Sequence, residues 1–385
     1  MNRVKLKENL IDTVKGNRTI YAFYYYTMSL VLRIIKAVVK PVDKLALFVS
    51  YGGRYFNDSP RTLYAAMQKD PRFEGFRLVW AFRNPSQYPE VSDKVKIDSL
   101  SYFVTSLKAR LWITNVHIER GLDFKGKHTY YFNTTHTLLP KVTGSLINEK
   151  TTFKVKAKPK CDCYSVQCEL EKEIMEGEKD KVQVVGYPKS DVLANYSEEY
   201  RKRIRQQLGY SDDETAILYA PTFREGALKD APLQVDFNKW EKRLGNGYRL
   251  LFRAHPVFSK SVHIDESTGF IKDVSDYPNN NDLIIASDIL VSDYSGIFFE
   301  YGIQDKPMFC YAYDYNDYVK ERPLYFDIRE ELPGGYMNED DLLDYIKNGD
   351  REEIMNKVAV FRSKYIQAYG HATETCLDII YENIK

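Results

Sequence analysis

Apolar residues recur along this chain with two different periods, and the switches between them outline the architecture. From Thr19 to Val39 the period is helical: Ile20, Phe23, Tyr24, Thr27, Val31, Ile34 and Val38 fall on one face. Pro41 closes that segment. Short apolar runs bounded by turn residues then predict buried strands at 44–50, 76–82, 111–115 and 129–132, with helices at 60–69 and 99–108 between them. A second series follows, with strands at 182–185, 216–219, 248–253, 269–272, 289–291 and 307–311. Its helices are expected at 197–208, 237–244, 339–347 and 351–384, with a shorter helix-like run at 297–302. Strands alternating with helices predict an α/β fold of doubly wound parallel sheets. The pattern divides near 185–195 into two Rossmann-like halves, in which ligands sit at the carboxyl ends of the strands.

Composition adds less than the pattern does. A chain of 385 residues is too long for one ordinary core and suggests two domains. Lys plus Arg is 55 against 54 Asp plus Glu, so the balance does not suggest a polyanionic partner, and no nucleic acid is expected. The charge is uneven, however. Residues 1–40 carry eight Lys or Arg and two acids, a net +6. Arg33 and Lys36 interrupt the apolar run, leaving fewer than the roughly 18 uncharged residues a spanning helix needs. The segment reads as a basic amphipathic helix lying in an anionic membrane interface, or else as a helix packed on the first domain. No secretory signal is expected, since an apolar core and a small-residue cleavage site are missing at the start. Tyr, at 31 residues, suits contacts that are apolar on one side and wet on the other. Cys161, Cys163 and Cys168 lack a second pair at zinc-site spacing, so reduced thiols are expected rather than a metal site.

The chemistry gathers at strand ends. The run 285–296 is an apolar strand followed by Asp293-Tyr294-Ser295-Gly296 and a helix-like stretch. Backbone N–H groups and the positive end of a helix dipole meet at such a junction, which suits phosphate. Upstream, the strand 250–252 ends in Arg253-Ala254-His255-Pro256. Two strand ends bearing Arg, His, Asp and Ser point to a charged, phosphorylated ligand. No Asp-x-Asp pair stands at a strand end, so no cofactor is expected, with Mg²⁺ left open.

These pieces, taken in order, resemble the CDP-glycerol glycerophosphotransferase family of teichoic acid primases and polymerases. The match runs from about residue 45 to 345. It is carried by Tyr51-Gly52-Gly53, the run 110–115, Gly186-Tyr187-Pro188-Lys189-Ser190-Asp191, the run 218–224, Arg253-Ala254-His255-Pro256, the run 287–295, Lys306-Pro307 and the tract 314–334. The resemblance implies a GT-B-like fold with two Rossmann-like domains facing a cleft. Residues 1–40 would be the membrane-associating helix, 41–190 the acceptor domain, and 191–385 the CDP-donor domain, with the last helix returning to the first. It implies transfer of a polyol phosphate from CDP-glycerol or CDP-ribitol to a hydroxyl of a lipid-linked cell-wall or capsular glycan. CMP would be released at the cytoplasmic face of a bacterial membrane.

Within that expectation His136 is the general base for the acceptor hydroxyl, and His255 contacts the donor pyrophosphate and helps CMP leave. Arg224, Arg253 and Arg322 are phosphate contacts, and Lys141 neutralises phosphate. Ser295 and Gly296 bind the pyrophosphate. Asp293 orients His255 or caps the helix, and Glu300 takes the donor ribose or polyol. A nucleotide-sugar glycosyltransferase and a non-catalytic scaffold are the competing readings. Two departures stand out. The family usually has His-Gly-Thr-Pro-Leu-Lys where this chain has His136-Thr137-Leu138-Leu139-Pro140-Lys141, and often Ser-Ser where this chain has Ser295-Gly296.

Overall fold

A computed structural model describes residues 18–142, 160–224, 233–254 and 264–385. The first half opens with helix α1 (Arg18–Val38) and strand β1 (Val42–Val49). Then come α2 (Asp58–Met67), β2 (Arg77–Phe82), β3 (Lys94–Lys96), α3 (Leu100–Lys108), β4 (Ala109–Thr114) and β5 (Tyr130–Asn133). It closes with β6 (Cys163–Val166), α4 (Glu169–Ile174) and β7 (Val182–Val184). All seven strands run parallel in the order β3-β2-β1-β4-β5-β6-β7. Alternation along β1 shows why both faces need cover. Leu45, Leu47 and Val49 enter one core while Ala46 and Phe48 enter the other. Strands β3 and β6 escape the sequence pattern: β3 is three residues long, and β6 lies in the cysteine-rich tract read for its thiols.

The second half holds α5 (Asp191–Asn195), α6 (Glu198–Leu208), β8 (Thr215–Tyr219), α7 (Phe237–Leu244), β9 (Tyr248–Phe252) and β10 (Ile271–Asp273). It continues with α8 (Asn280–Ala286), β11 (Ile289–Ser292), α9 (Ile297–Tyr301), β12 (Met308–Cys310), α10 (Tyr315–Glu321), α11 (Ile328–Glu331) and α12 (Glu339–Asn348). Its five strands are parallel in the order β10-β9-β8-β11-β12. The single helix expected over 351–384 is two, α13 (Arg351–Tyr365) and α14 (Ala372–Ile384), broken at a turn where Gly370 has φ +83°. Cys376, Leu377, Ile380 and Ile384 of α14 pack into the core that contains Phe48 and Trp80, so the last helix covers the first sheet.

The chain therefore crosses between the halves twice, and the crossings touch. Gly186 has φ +87°, and a Cβ there would sit 2.7 Å from the Ala368 carbonyl oxygen. Gln367 and Ala368 donate their N–H groups to the Gln167 carbonyl. Asp191 accepts from the N–H groups of Ala372 and Thr373 and from the Thr373 hydroxyl.

Helix α1 docks through one face only. Tyr21 and Leu32 are buried, Tyr25, Met28 and Ile35 pack on the first core, and the Tyr21 hydroxyl donates to the Gly121 carbonyl at 2.9 Å. Most of the apolar period legible in the sequence lies on the neighbouring face, one residue out of register; of that set Tyr24 packs on the first core. Ile20, Phe23, Val31, Ile34 and Val38 point outward, with Phe23 74% and Val38 76% exposed. The helix thus carries two apolar stripes, of which the fold uses the other one. Among the described residues, no helix is long and apolar enough to cross a membrane.

Candidate active site

Between the two sheets lies a cavity of about 500 Å³, lined from both halves at the carboxyl ends of the strands. From the first half, the turn after β1 supplies Tyr51, in a left-handed conformation (φ +44°). Its backbone N–H donates to Asn115 Oδ1 at 2.9 Å, and its hydroxyl donates to Asp58 Oδ2 at 3.0 Å. Burial, and then the Asp58 carboxylate, push the Tyr51 hydroxyl well up, so it stays a donor. The segment after β5 brings His136, whose Nδ1 lies 3.1 Å from the Asn115 carbonyl oxygen. A carbonyl can only accept, so Nδ1 carries the proton, and in the neutral imidazole Nε2 is then the acceptor. The Tyr51 ring meets the imidazole edge to face, with centroids 5.6 Å apart.

Beyond His136 the chain reaches across the cleft. Leu138 N–H donates to the buried Glu171 carboxyl. Pro140 to Val142 then pair antiparallel with Pro323 to Tyr325 through Val142 N–H to Pro323 O and Tyr325 N–H to Pro140 O, both at 2.9 Å. This pairing sets Lys141 opposite Leu324, and both Lys141 and Arg322 line the cavity. The two departures from the family pattern also meet here. A Cβ on Gly296 would stand 3.3 Å from Thr137 Cγ2 and 3.5 Å from the Leu139 carbonyl. Bulk gained at 137 occupies room that a side chain at 296 would need.

The second half supplies charge. Arg253, after β9, donates through Nη1 to the Val274 and Tyr277 carbonyls, each at 3.0 Å. Burial lowers its pKa, opposed by Glu300 and Asp276. Ser295 and Gly296 precede α9, and Glu300 projects from it. The Glu300 carboxylate accepts from Asn280 Nδ2 at 3.1 Å and pairs with Lys189 Nζ at 2.8 Å. Lys189 also pairs with Asp58 at 3.2 Å, with only 17% of its side chain exposed. Burial disfavours its charge, but Asp58 and Glu300 outweigh burial and hold the ammonium firmly protonated. Burial likewise raises Asp58, yet Lys189 and the Ser59 N–H bring it below the usual carboxylate range.

The structure thus gathers His136, Lys141, Arg253, Ser295, Gly296, Glu300 and Arg322 around one cavity. Arg224 does not line this cavity. Its guanidinium is 4% exposed, paired with Asp293 at 2.9 Å and Asp314 at 2.6 Å, and boxed by the rings of Tyr294, Tyr313 and Tyr318. A fork held by two carboxylates braces the turns after β8, β11 and β12. Asp293 belongs to that brace, accepting from the Thr222 and Tyr294 N–H groups, and it too is absent from the lining. His255 lies outside the described residues. Sequence reasoning passed over Tyr51, Lys189, Asn280 and Glu321, which do line the cavity. Tyr51 and Lys189 stand inside motifs that carried the resemblance, and that was the available signal. Among the described residues, no group of three His, Cys, Asp or Glu is placed to hold a metal, and the five cysteines are free and buried.

Two parallel Rossmann-like sheets opening onto a shared cleft make this a GT-B-like enzyme fold. A putative UDP-N-acetylglucosamine 2-epimerase from Listeria monocytogenes shares that architecture at a TM-score of 0.54 and 14% identity. The chain belongs to the CDP-Glycerol:Poly(glycerophosphate) glycerophosphotransferase family, a family of transferases, whose profile matches residues 32–382. It is 30% identical over 379 residues to a teichoic acid poly(glycerol phosphate) polymerase of Staphylococcus epidermidis, covering 90% of this chain but 51% of that protein. The chain therefore spans about half the length of that relative. It is 29% identical to a teichoic acid glycerol-phosphate transferase of Staphylococcus aureus, covering 89% of this chain and 94% of that one. The wall teichoic acid polymerase TagF superposes with a TM-score of 0.78 at 28% identity, over 93% of this chain and 96% of that one. One TagF structure was obtained from a histidine variant soaked with CDPG.

Proposed function

We propose that this protein transfers glycerol phosphate from CDP-glycerol to a hydroxyl of a lipid-linked cell-wall or capsular glycan and releases CMP. The observation that carries this reading is His136, its Nδ1 proton committed to the Asn115 carbonyl, facing the same cavity as Lys141, Arg253 and Arg322. In the proposed step the acceptor oxygen attacks the phosphorus that bears glycerol, and its proton passes to His136 Nε2. The bond from that phosphorus to the bridging oxygen breaks, and its electron pair leaves with CMP. Arg253, Lys141, Arg322 and the backbone at Ser295 and Gly296 take up the phosphate charge. His255 keeps a proposed part in the departure of CMP, and Glu300 in holding the ribose or polyol. The first half would then serve the acceptor and the second half the donor.

The lipid-linked acceptor is supported by α1. Its outward apolar stripe, together with exposed Arg33, Lys36 and Lys40, suits the anionic cytoplasmic leaflet of a bacterial membrane. Co-sedimentation with anionic vesicles tests this part, and Phe23→Ser with Ile34→Ser is expected to abolish it.

The central experiment measures CMP release from CDP-glycerol and, separately, from CDP-ribitol, with a panel of lipid-linked acceptors. Ribitol is a real competitor, since a teichoic acid ribitol-phosphate polymerase of Staphylococcus aureus is 32% identical over 200 residues. Release from CDP-glycerol, lost in His136→Ala, is the expected result. Release from CDP-ribitol alone would reassign the polyol. No release from either donor would overturn the reading.

A further inference from the structure

The run 186–191 carries a cation that the proposed chemistry does not use. Lys189 lies in the first crossing between the halves, and its partners come from both sides: Asp58 at the start of α2 and Glu300 in α9. Its backbone is held as well, with its N–H donating to Ser59 Oγ at 3.3 Å and its carbonyl accepting from Asn281 Nδ2 at 2.7 Å. We propose that Lys189 is a positioning residue for the donor, an internal counter-ion that keeps two carboxylates from repelling a bound diphosphate while fixing Tyr51 against the base. The proposal rests on the CDP-donor reading above.

Both Glu300 and Lys189 line the cavity, and Asp58 stands directly behind them. A diphosphate entering this space meets Lys141, Arg253 and Arg322, but also Glu300 and Glu321. With Lys189 in place, the Asp58–Lys189–Glu300 triad carries one net negative charge. Without it the same volume holds two carboxylates and no internal cation. Unpaired buried charges are costly, and like charges in a water-poor cleft repel strongly. The second consequence runs through Asp58. Held ionised by Lys189, it accepts the Tyr51 hydroxyl, and the Tyr51 ring abuts His136. One ammonium therefore serves charge on the donor side and geometry on the acceptor side. Acting through other groups rather than on substrate, it is not a catalytic residue.

The test is a charge-deletion cycle on the full chain, with CDP-glycerol affinity by calorimetry, steady-state kinetics and melting temperature for each variant. Lys189→Met is expected to weaken CDP-glycerol binding by at least about tenfold and to raise the donor KM more than it lowers kcat. Adding Asp58→Asn to Lys189→Met is expected to recover most of that affinity, because the surplus negative charge is gone. A residue that merely braced the fold would lose melting temperature in Lys189→Met and show no such recovery. If Lys189→Met binds CDP-glycerol as tightly as the parent, or if the double variant binds no better than Lys189→Met, the inference is wrong and the donor reading stands. If the parent chain itself binds no CDP-glycerol, both fall together.

Discussion

The two walls of the cavity are built on different principles. The wall from the first sheet is a lattice of hydrogen bonds. Asn115 alone receives the Tyr51 N–H on its side chain and the His136 Nδ1–H on its backbone carbonyl. The wall from the second sheet is a distribution of charge on short turns, with Arg253 tied to two backbone carbonyls and Glu300 balanced by Lys189 and Asn280. A proton acceptor has to be aimed within a few tenths of an ångström, whereas an anion needs mainly the right potential. The contrast assigns aim to one wall and attraction to the other, and it is open to attack by substitution.

The largest effect is expected from His136→Ala, which should slow CMP release by about 10² to 10⁴-fold while leaving donor affinity nearly unchanged. Single-turnover kinetics alongside calorimetry separate the two quantities; a parallel loss of affinity would erase the contrast. Arg253→Met should do the reverse, costing about 1.5–3 kcal/mol in donor binding with a smaller change in kcat. A melting scan is the control there, because Arg253 also anchors Val274 and Tyr277. Tyr51→Phe, which deletes only the bond to Asp58, should lower kcat by about 1 kcal/mol and leave the donor KM alone. An effect of the same small size is expected where the walls touch. Gly296→Ser should cost about 1 kcal/mol in turnover through crowding against Thr137, and adding Thr137→Gly should restore it.

Much of the second wall was legible in the chain, because an apolar strand followed at once by Arg253, or by Ser295-Gly296, announces a strand end facing a ligand. His136 was legible for the same reason. The charged floor was not. Asp58, Lys189 and Glu300 are far apart in sequence, and only the folding of two sheets around two crossings brings them within 3.2 Å of Lys189 Nζ. Arg224 shows the converse. It follows a strand as closely as Arg253 does, but Asp293 and Asp314 claim its guanidinium, and a lone sequence does not show which carboxylates a cation meets. Helix α1 was visible through its outward stripe, but the packed face, Tyr21, Tyr25, Met28, Leu32 and Ile35, has the same spacing one residue further on, so periodicity alone did not say which face docks. The break between α13 and α14 was missed because helical spacing resumes on both sides of it.

The contact between the two crossings has a mechanical consequence. A protein joined by one linker behaves as two beads on a string; this one behaves as a book with a spine. Gly186 against the Ala368 carbonyl, and Asp191 gripping Thr373, hold the two crossings against each other. Two crossings held together favour opening and closing about their contact over twisting and sliding of the covers. Cutting the chain at the first crossing would not free either cover, because α14 still holds the first sheet from the far end of the polypeptide. The Pro140–Val142 and Pro323–Tyr325 strips add a clasp away from that spine, two backbone hydrogen bonds that any parting of the covers has to give up.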